Sequence, residues 1–213
     1  MKQDDPWWGR LVADRDQNPA QQRSRLIDAF TKVAAERGYT RISAAQVATE
    51  AGLPRETFYE HFPDLPRCLV ASYDAYFERL MAHIEEACES EGEWSGRVKA
   101  SVGACLEFVL ETASRARLFS VEAISAGPAL LERRFASTTR LAARLQRLRD
   151  HSPRAAELPA STEWVLVAGV YSRITAHLLA EEAGLLADLE PQLVELLLSP
   201  YLGEQEARRL AIA

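Results

Sequence analysis

AGLPRETFYEHF, residues 51–62, joins two short helical patterns through a turn. Gly52 can take the left-handed backbone conformation that a sharp turn requires. Pro54 fits the first position of a following helix, where its missing amide hydrogen costs nothing. That second helix is predicted from about Pro54 to His61. Upstream, Ser43 has the chemistry of an N-cap, and Val47 and Ala48 supply the inward face of a two-turn helix that stops at Gly52. Within the second helix Phe58 and Phe62 lie four apart and can dock it on the first. The pairs Arg55/Tyr59 and Thr57/His61, also four apart, flank that apolar stripe. Guanidinium, phenol, hydroxyl and imidazole are thereby expected to project outward, as donors to phosphate oxygens or base edges.

One element earlier, Leu26, Ile27, Phe30, Val33 and Ala34 repeat with the spacing of a single buried helical face, from about Ala20 to a stop at Gly38. A longer supporting helix followed by two short ones across a tight turn is the pattern of a helix-turn-helix. The run T-F-Y-E-H-F after A-G-L-P-R resembles the N-terminal domain of TetR-type transcriptional regulators over about residues 20–70. The resemblance implies that Thr57, Tyr59 and His61 face DNA from the recognition helix, with Arg55 near its start and Ser43 capping the helix before it. It departs from the family at Leu65, where a phosphate-binding lysine is common, and at Glu56 and Glu60, carboxylates within the recognition helix that repel phosphate unless turned away or accepting from cytosine.

Charge points to the same end of the chain. The 213 residues carry a net charge of −6, yet Gln21–Phe62 sums to +1 whereas the chain from Pro63 onward sums to −6. A polyanion should meet the N-terminal end. A composition rich in Ala, Leu, Arg and Glu, with only ten Gly and ten Pro, predicts an all-α protein, and 47% hydrophobic residues suffice for a core. Three domains of the sequence follow: an N-terminal arm over 1–19 in which Trp7 and Trp8 can act as pins, a helix-turn-helix domain over 20–66, and a helical effector-binding and dimerisation domain over 67–213. No apolar run approaches the length of a membrane span, and the first residues lack a signal peptide's apolar middle. Cys68, Cys88 and Cys105 read as small buried hydrophobes of a reduced, cytoplasmic protein.

The larger part of the chain is predicted as a series of helices. A long one runs from about Arg67 to Glu89, with Leu69, Tyr73, Phe77, Met81 and Ile84 in register. Others run from about Arg97 to Arg115 and around Leu118 to Ala126. From Ala129 to about Asp150 a helix sets Leu131, Phe135, Leu145 and Leu148 opposite Arg133, Arg140, Arg144 and Arg147, the latter read as a solvated face partly paired with acids. The segments EWVLVAGVYSRITAHLLA (163–180) and PQLVELLLSPYLG (191–203) are apolar around much of their circumference, so they must be covered on more than one side. The family resemblance implies that these last two long helices join a homodimer as a four-helix interface, that two recognition helices read a palindromic double-stranded operator, and that an unidentified small-molecule effector releases a repressor from it. No phosphate loop, HExxH, GxSxG or Cys/His cluster is present, and His83, His151 and His177 are isolated from one another. Catalytic residues, metal and cofactors are therefore not expected. The competing expectation is a helical ligand-binding or enzymatic protein that no longer reads DNA, which Glu56, Glu60 and Leu65 favour.

Overall fold

The computed structural model describes residues 18–121, 127–152, 154–180 and 182–212, with the side chains of Leu148 and Ala183 excepted. The predicted arm with Trp7 and Trp8, apart from its last two residues, and the predicted helical residues 122–126 lie outside them. Among the described residues there are ten α-helices and no strand, an all-α protein as expected. The chain divides into two compact units, one ending at Tyr73 and the other beginning at Asp74.

The first unit opens with α1, Pro19–Arg37, whose N-cap Asn18 accepts the Ala20 amide at 3.0 Å. Pro19, placed in the arm by composition, is thus the first helical residue, as suits a side chain with no amide hydrogen to satisfy. Helix α2, Ala44–Ala51, and α3, Arg55–His61, follow. Pro54 sits one place before α3, as its N-cap in an extended conformation. Helix α1 packs on α2 and α3, and α2 on α3. Leu26, Phe30, Val47 and Phe58 are all wholly enclosed. Helix α4, Leu65–Glu89, begins in this unit and continues into the second, with Asp64 accepting the Arg67 amide at 2.8 Å in its first turn.

The second unit adds α5, Trp94–Glu111, and α6, Ala113–Ser120. The break between them falls at Thr112, earlier than the spacing of apolar residues suggests. The Thr112 hydroxyl donates to the Phe108 carbonyl at 2.6 Å and meets the Tyr76 hydroxyl at 3.1 Å, at a residue whose φ of −115° departs from helical geometry. Helix α7, Pro128–Gln146, gives way to a tighter 3-10 turn over Arg147–His151. Its predicted apolar stripe holds at Leu145, partly buried against the core, and is corrected at Leu131 and Phe135, which are exposed while Leu130 and Ala142 are buried. The arginine face is paired as expected, with Arg133 to Asp74 at 3.5 Å, Arg140 to Glu78 and Arg144 to Glu85. Both the acids on α4 and the arginines on α7 ascend in number together, so the two helices run parallel.

Helices α8, Thr162–Leu179, α9, Glu190–Leu202, and α10, Glu204–Ile212, complete the unit. Leu166, Ile174 and Leu178 of α8 share a core with Val98, Val102 and Leu106 of α5 and with Leu193, Val194, Leu197 and Leu198 of α9. One charged group enters that interior. Glu163 is 2% exposed, receives Arg149 Nε at 2.8 Å and Nη2 at 3.0 Å, and accepts the Tyr201 hydroxyl at 2.6 Å. Burial pushes its carboxyl up, but the donors Arg149 and Tyr201 outweigh that and hold it below the usual carboxylate range. Arg149 also donates to the carbonyls of Ala155, Leu158 and Pro159, so the pair ties the loop after α7 to the first turn of α8. Only one of the cysteines is fully enclosed: Cys68 is buried, while Cys88 and Cys105 are partly so. Burial pushes the Cys68 thiol up to about 12 and the Cys105 thiol up to about 11.

Candidate nucleic-acid interface

The turn between α2 and α3 is set by backbone chemistry that its sequence specifies. At the start of α2 the Ser43 hydroxyl accepts the Gln46 amide at 3.4 Å while the Gln46 side-chain oxygen accepts the Ser43 amide at 2.8 Å, a reciprocal capping box. At its end Gly52 adopts φ 65° and ψ 33°, the left-handed region. The Gly52 amide donates to the Thr49 carbonyl at 3.0 Å and the Leu53 amide to the Ala48 carbonyl at 2.9 Å, the paired bonds of a Schellman ending, with Leu53 buried behind them. The Arg25 guanidinium, from α1, donates to the Ala51 carbonyl and more loosely to the Gly52 carbonyl. A Cβ added at Gly52 would stand 2.9 Å from Arg25 Nη2, so position 52 is restricted by a neighbour as well as by its φ.

Helix α3 then presents its side chains unevenly. Phe58 is enclosed, packed 5.7 Å from the Phe62 ring and 5.4 Å edge-on from Tyr59. Arg55 and Tyr59 stand in the open, Tyr59 at 47% exposure, with Arg55 Nη2 donating to the Tyr59 phenol oxygen at 3.4 Å. The other expected pair does not join them. Thr57 is buried at 9% exposure, and the partly buried His61 has its Nε2 3.1 Å from the side-chain oxygen of Gln22. The cause is angular: successive helical residues turn by about 100°, so Thr57 and Tyr59 lie on opposite sides of Phe58. The seat of α3 on α1 and α2 covers the Thr57 side and leaves the Tyr59 side free. Glu56 and Glu60 are exposed as well.

Three supporting residues escape a reading of the sequence. Arg25 clamps the turn, Gln22 orients His61, and the Arg23 guanidinium lies 4.5 Å from the centre of the Phe62 ring, a cation–π contact that fixes the far end of α3. A signal exists for Gln22 alone. It lies four residues before Leu26 on the apolar face of α1, where a polar side chain needs a buried partner.

A capped two-turn helix, a left-handed glycine turn and a second helix with an exposed cationic and phenolic edge define a helix-turn-helix DNA-binding domain, here followed by a helical body. Residues 26–64 match the family described as bacterial regulatory proteins, tetR family. The match covers the helix-turn-helix and stops at the start of the helical body. The fold of the chain is that of the fatty acid degradation regulator FadR from Bacillus halodurans, at 16% identity and TM-score 0.69 over 84% of this chain and 96% of that one. FadR from Bacillus subtilis in complex with stearoyl-CoA is similar at 14% identity and TM-score 0.69, over 84% and 98% of the two chains. RolR in complex with resorcinol is similar at 20% identity and TM-score 0.64, over 91% and 94%.

Proposed function

We propose that the protein is a homodimeric repressor that binds a palindromic operator and leaves it when a small molecule occupies its body. The observation that carries this reading is the exposed Arg55–Tyr59 edge on α3, held outward by the capped turn. In the proposal Arg55 and Tyr59 supply the donors to DNA, Ser43 and His61 flank them, and Thr57 serves to seat the helix rather than to touch a base. Dimerisation through α8 and α9 is supported by apolar side chains left open on both: Val165 at 58%, Leu179 at 55% and Leu196 at 39% exposure. Gly169 of α8 lies against Leu196, its added Cβ 3.7 Å from that side chain, so small residues leave room there. Two heads one DNA turn apart would double the contacts available to an acidic chain.

An effector is supported by analogy with relatives of the same fold, whose structures contain stearoyl-CoA or resorcinol. To act, it must favour the conformation whose heads no longer fit both half-sites. The protein acts in this reading as a cytoplasmic regulator rather than a catalyst; no helix among the described residues is long and apolar enough to cross a membrane. Glu56 and Glu60 favour a second reading, a ligand-binding protein with a silent head. Selection of duplexes from a random pool, followed by gel shifts, separates the two. The first reading predicts an enriched palindrome to which Tyr59→Ala binds at least about tenfold more weakly, the size expected when one specific hydrogen bond to DNA is removed. No enrichment, or equal binding by Tyr59→Ala, favours the second.

A further inference from the structure

Within the second unit, the C-terminal half of α4, the start of α5 and the second half of α7 enclose an open cleft of about 680 Å³. Its walls carry Arg97, Arg140, Arg144 and Arg147 against the carboxylates of Glu85 and Glu89. With Glu78, which pairs with Arg140 beside the cleft, four guanidinium groups face three carboxylates, a local excess of positive charge on a chain whose net charge is −6. Such local concentration of one sign in a concave surface attracts the opposite one.

The four arginines are not equally engaged. Arg140 is held by Glu78 and Arg144 by Glu85, both from α4. Arg97 spends its Nε on the Glu91 carbonyl at 2.8 Å, which leaves its two Nη groups to the cleft. Arg147 is exposed, and its side chain has no hydrogen bond or ion pair among the described residues. Exposed arginine–carboxylate pairs are weak and exchange readily. A phosphate carries up to two charges and accepts both prongs of a guanidinium, so it competes well for such arginines. The cleft is of the size that holds a nucleotide-sized ligand, and Ala143 is the one aliphatic residue of its lining.

We propose that this cleft binds a phosphate-bearing small molecule of nucleotide size. Arg97 and Arg147 grip its phosphates, and the ligand draws Arg140 and Arg144 away from Glu78 and Glu85. Those two pairs fasten α7 to α4, the helix that begins at Leu65 in the unit carrying the helix-turn-helix. A ligand that releases them therefore acts on the helix through which the head is attached. As the seat of the effector the cleft rests on the reading of the chain as a ligand-released repressor; the binding itself does not.

Isothermal calorimetry on the full chain, with ATP and with inorganic pyrophosphate at ionic strength matched by sodium chloride, tests the site. Saturable binding of one ATP per chain is expected, with pyrophosphate weaker. Arg147→Gln, at an exposed position with no partner to lose, should weaken ATP several-fold, and Arg97→Gln/Arg147→Gln about tenfold, as for the loss of charge-assisted bonds. Glu78→Gln/Glu85→Gln should bind ATP more tightly, because the competing carboxylates are gone, whereas Arg115→Gln, exposed and outside the cleft, should change nothing. Absence of saturable heat with both probes, or equal affinity of Arg147→Gln and the wild type, overturns the site. Gel shifts on the same samples separate the two claims. Binding of ATP with unchanged operator affinity keeps the cleft and removes it as the effector's seat; absence of any DNA binding strikes the regulatory reading and leaves the cleft standing.

Discussion

In the first unit the recognition turn is closed by bonds between near neighbours: Ser43 with Gln46, Gly52 with Thr49, Leu53 with Ala48. In the second, bonds run across long separations: inside, Glu163 reaches Arg149 at 14 residues and Tyr201 at 38, and on the surface Arg140 reaches Glu78 at 62. Neighbour bonds are dictated by residue type and spacing and shape the turn itself, while Arg25 and Gln22 of α1, reaching Ala51 at 26 residues and His61 at 39, seat it. Distant bonds hold a body together only once that body has assembled. Under the proposed function, a head that presents the same edge to every operator suits the first arrangement. A body that changes when a ligand arrives suits the second, since pairs between distant helices can be exchanged one at a time.

The contrast is broken most severely by Phe58→Ala. Emptying a fully enclosed aromatic site should cost about 3–5 kcal/mol, and that loss should fall on the head. Hydrogen exchange is expected to accelerate throughout α1, α2 and α3 while the amides of α5, α8 and α9 keep their protection. Equal loss of protection in both units would show that the head has no stability of its own.

Glu163→Gln makes the opposite cut, with a smaller expected effect. The neutral amide still accepts from Tyr201 but leaves Arg149 without its charge partner. Protection should fall in α8 and α9 and stay unchanged in α2 and α3. The wild-type carboxyl is held below its ordinary value of 4.5, so its contribution is complete above about pH 4.5 and disappears as the pH falls through the lower folded value. The unfolding midpoint of the wild type should therefore drop on acidification below that pH by more than the midpoint of Glu163→Gln does. Identical acid profiles would remove Glu163 as a source of that dependence.

The smallest of these effects belongs to Ser43→Ala, which deletes one half of the capping box at an exposed position. A loss of about 1 kcal/mol is expected, as for other N-cap deletions, with faster exchange confined to the first turn of α2. Ser43→Asp, which keeps an acceptor, should restore most of it.

The same contrast explains what can be read from the sequence. Ser43, Gly52, Phe58 and Phe62 announce α2, the turn and α3, because capping, left-handed backbone and four-residue spacing are local rules. The burial of Thr57 is not legible, since a four-residue interval with His61 says which residues share a side but not which side a neighbouring helix covers. The apolar reading of Leu131 and Phe135 fails in the same manner: periodicity identifies a stripe, whereas its burial depends on α8, more than twenty residues further on. The Glu163–Arg149–Tyr201 network leaves no periodic trace at all, its members lying on a 3-10 turn, α8 and α9.

The salt dependence of operator binding tests most directly whether the open edge of α3 is what meets DNA. Affinity of the full chain for its selected duplex should fall linearly on a log–log plot with salt, and the slope for Arg55→Gln should be shallower by about 1 for each phosphate that the dimer no longer neutralises. An affinity indifferent to salt, or a slope that Arg55→Gln leaves unchanged, would contradict the assignment of that edge as the DNA-reading surface.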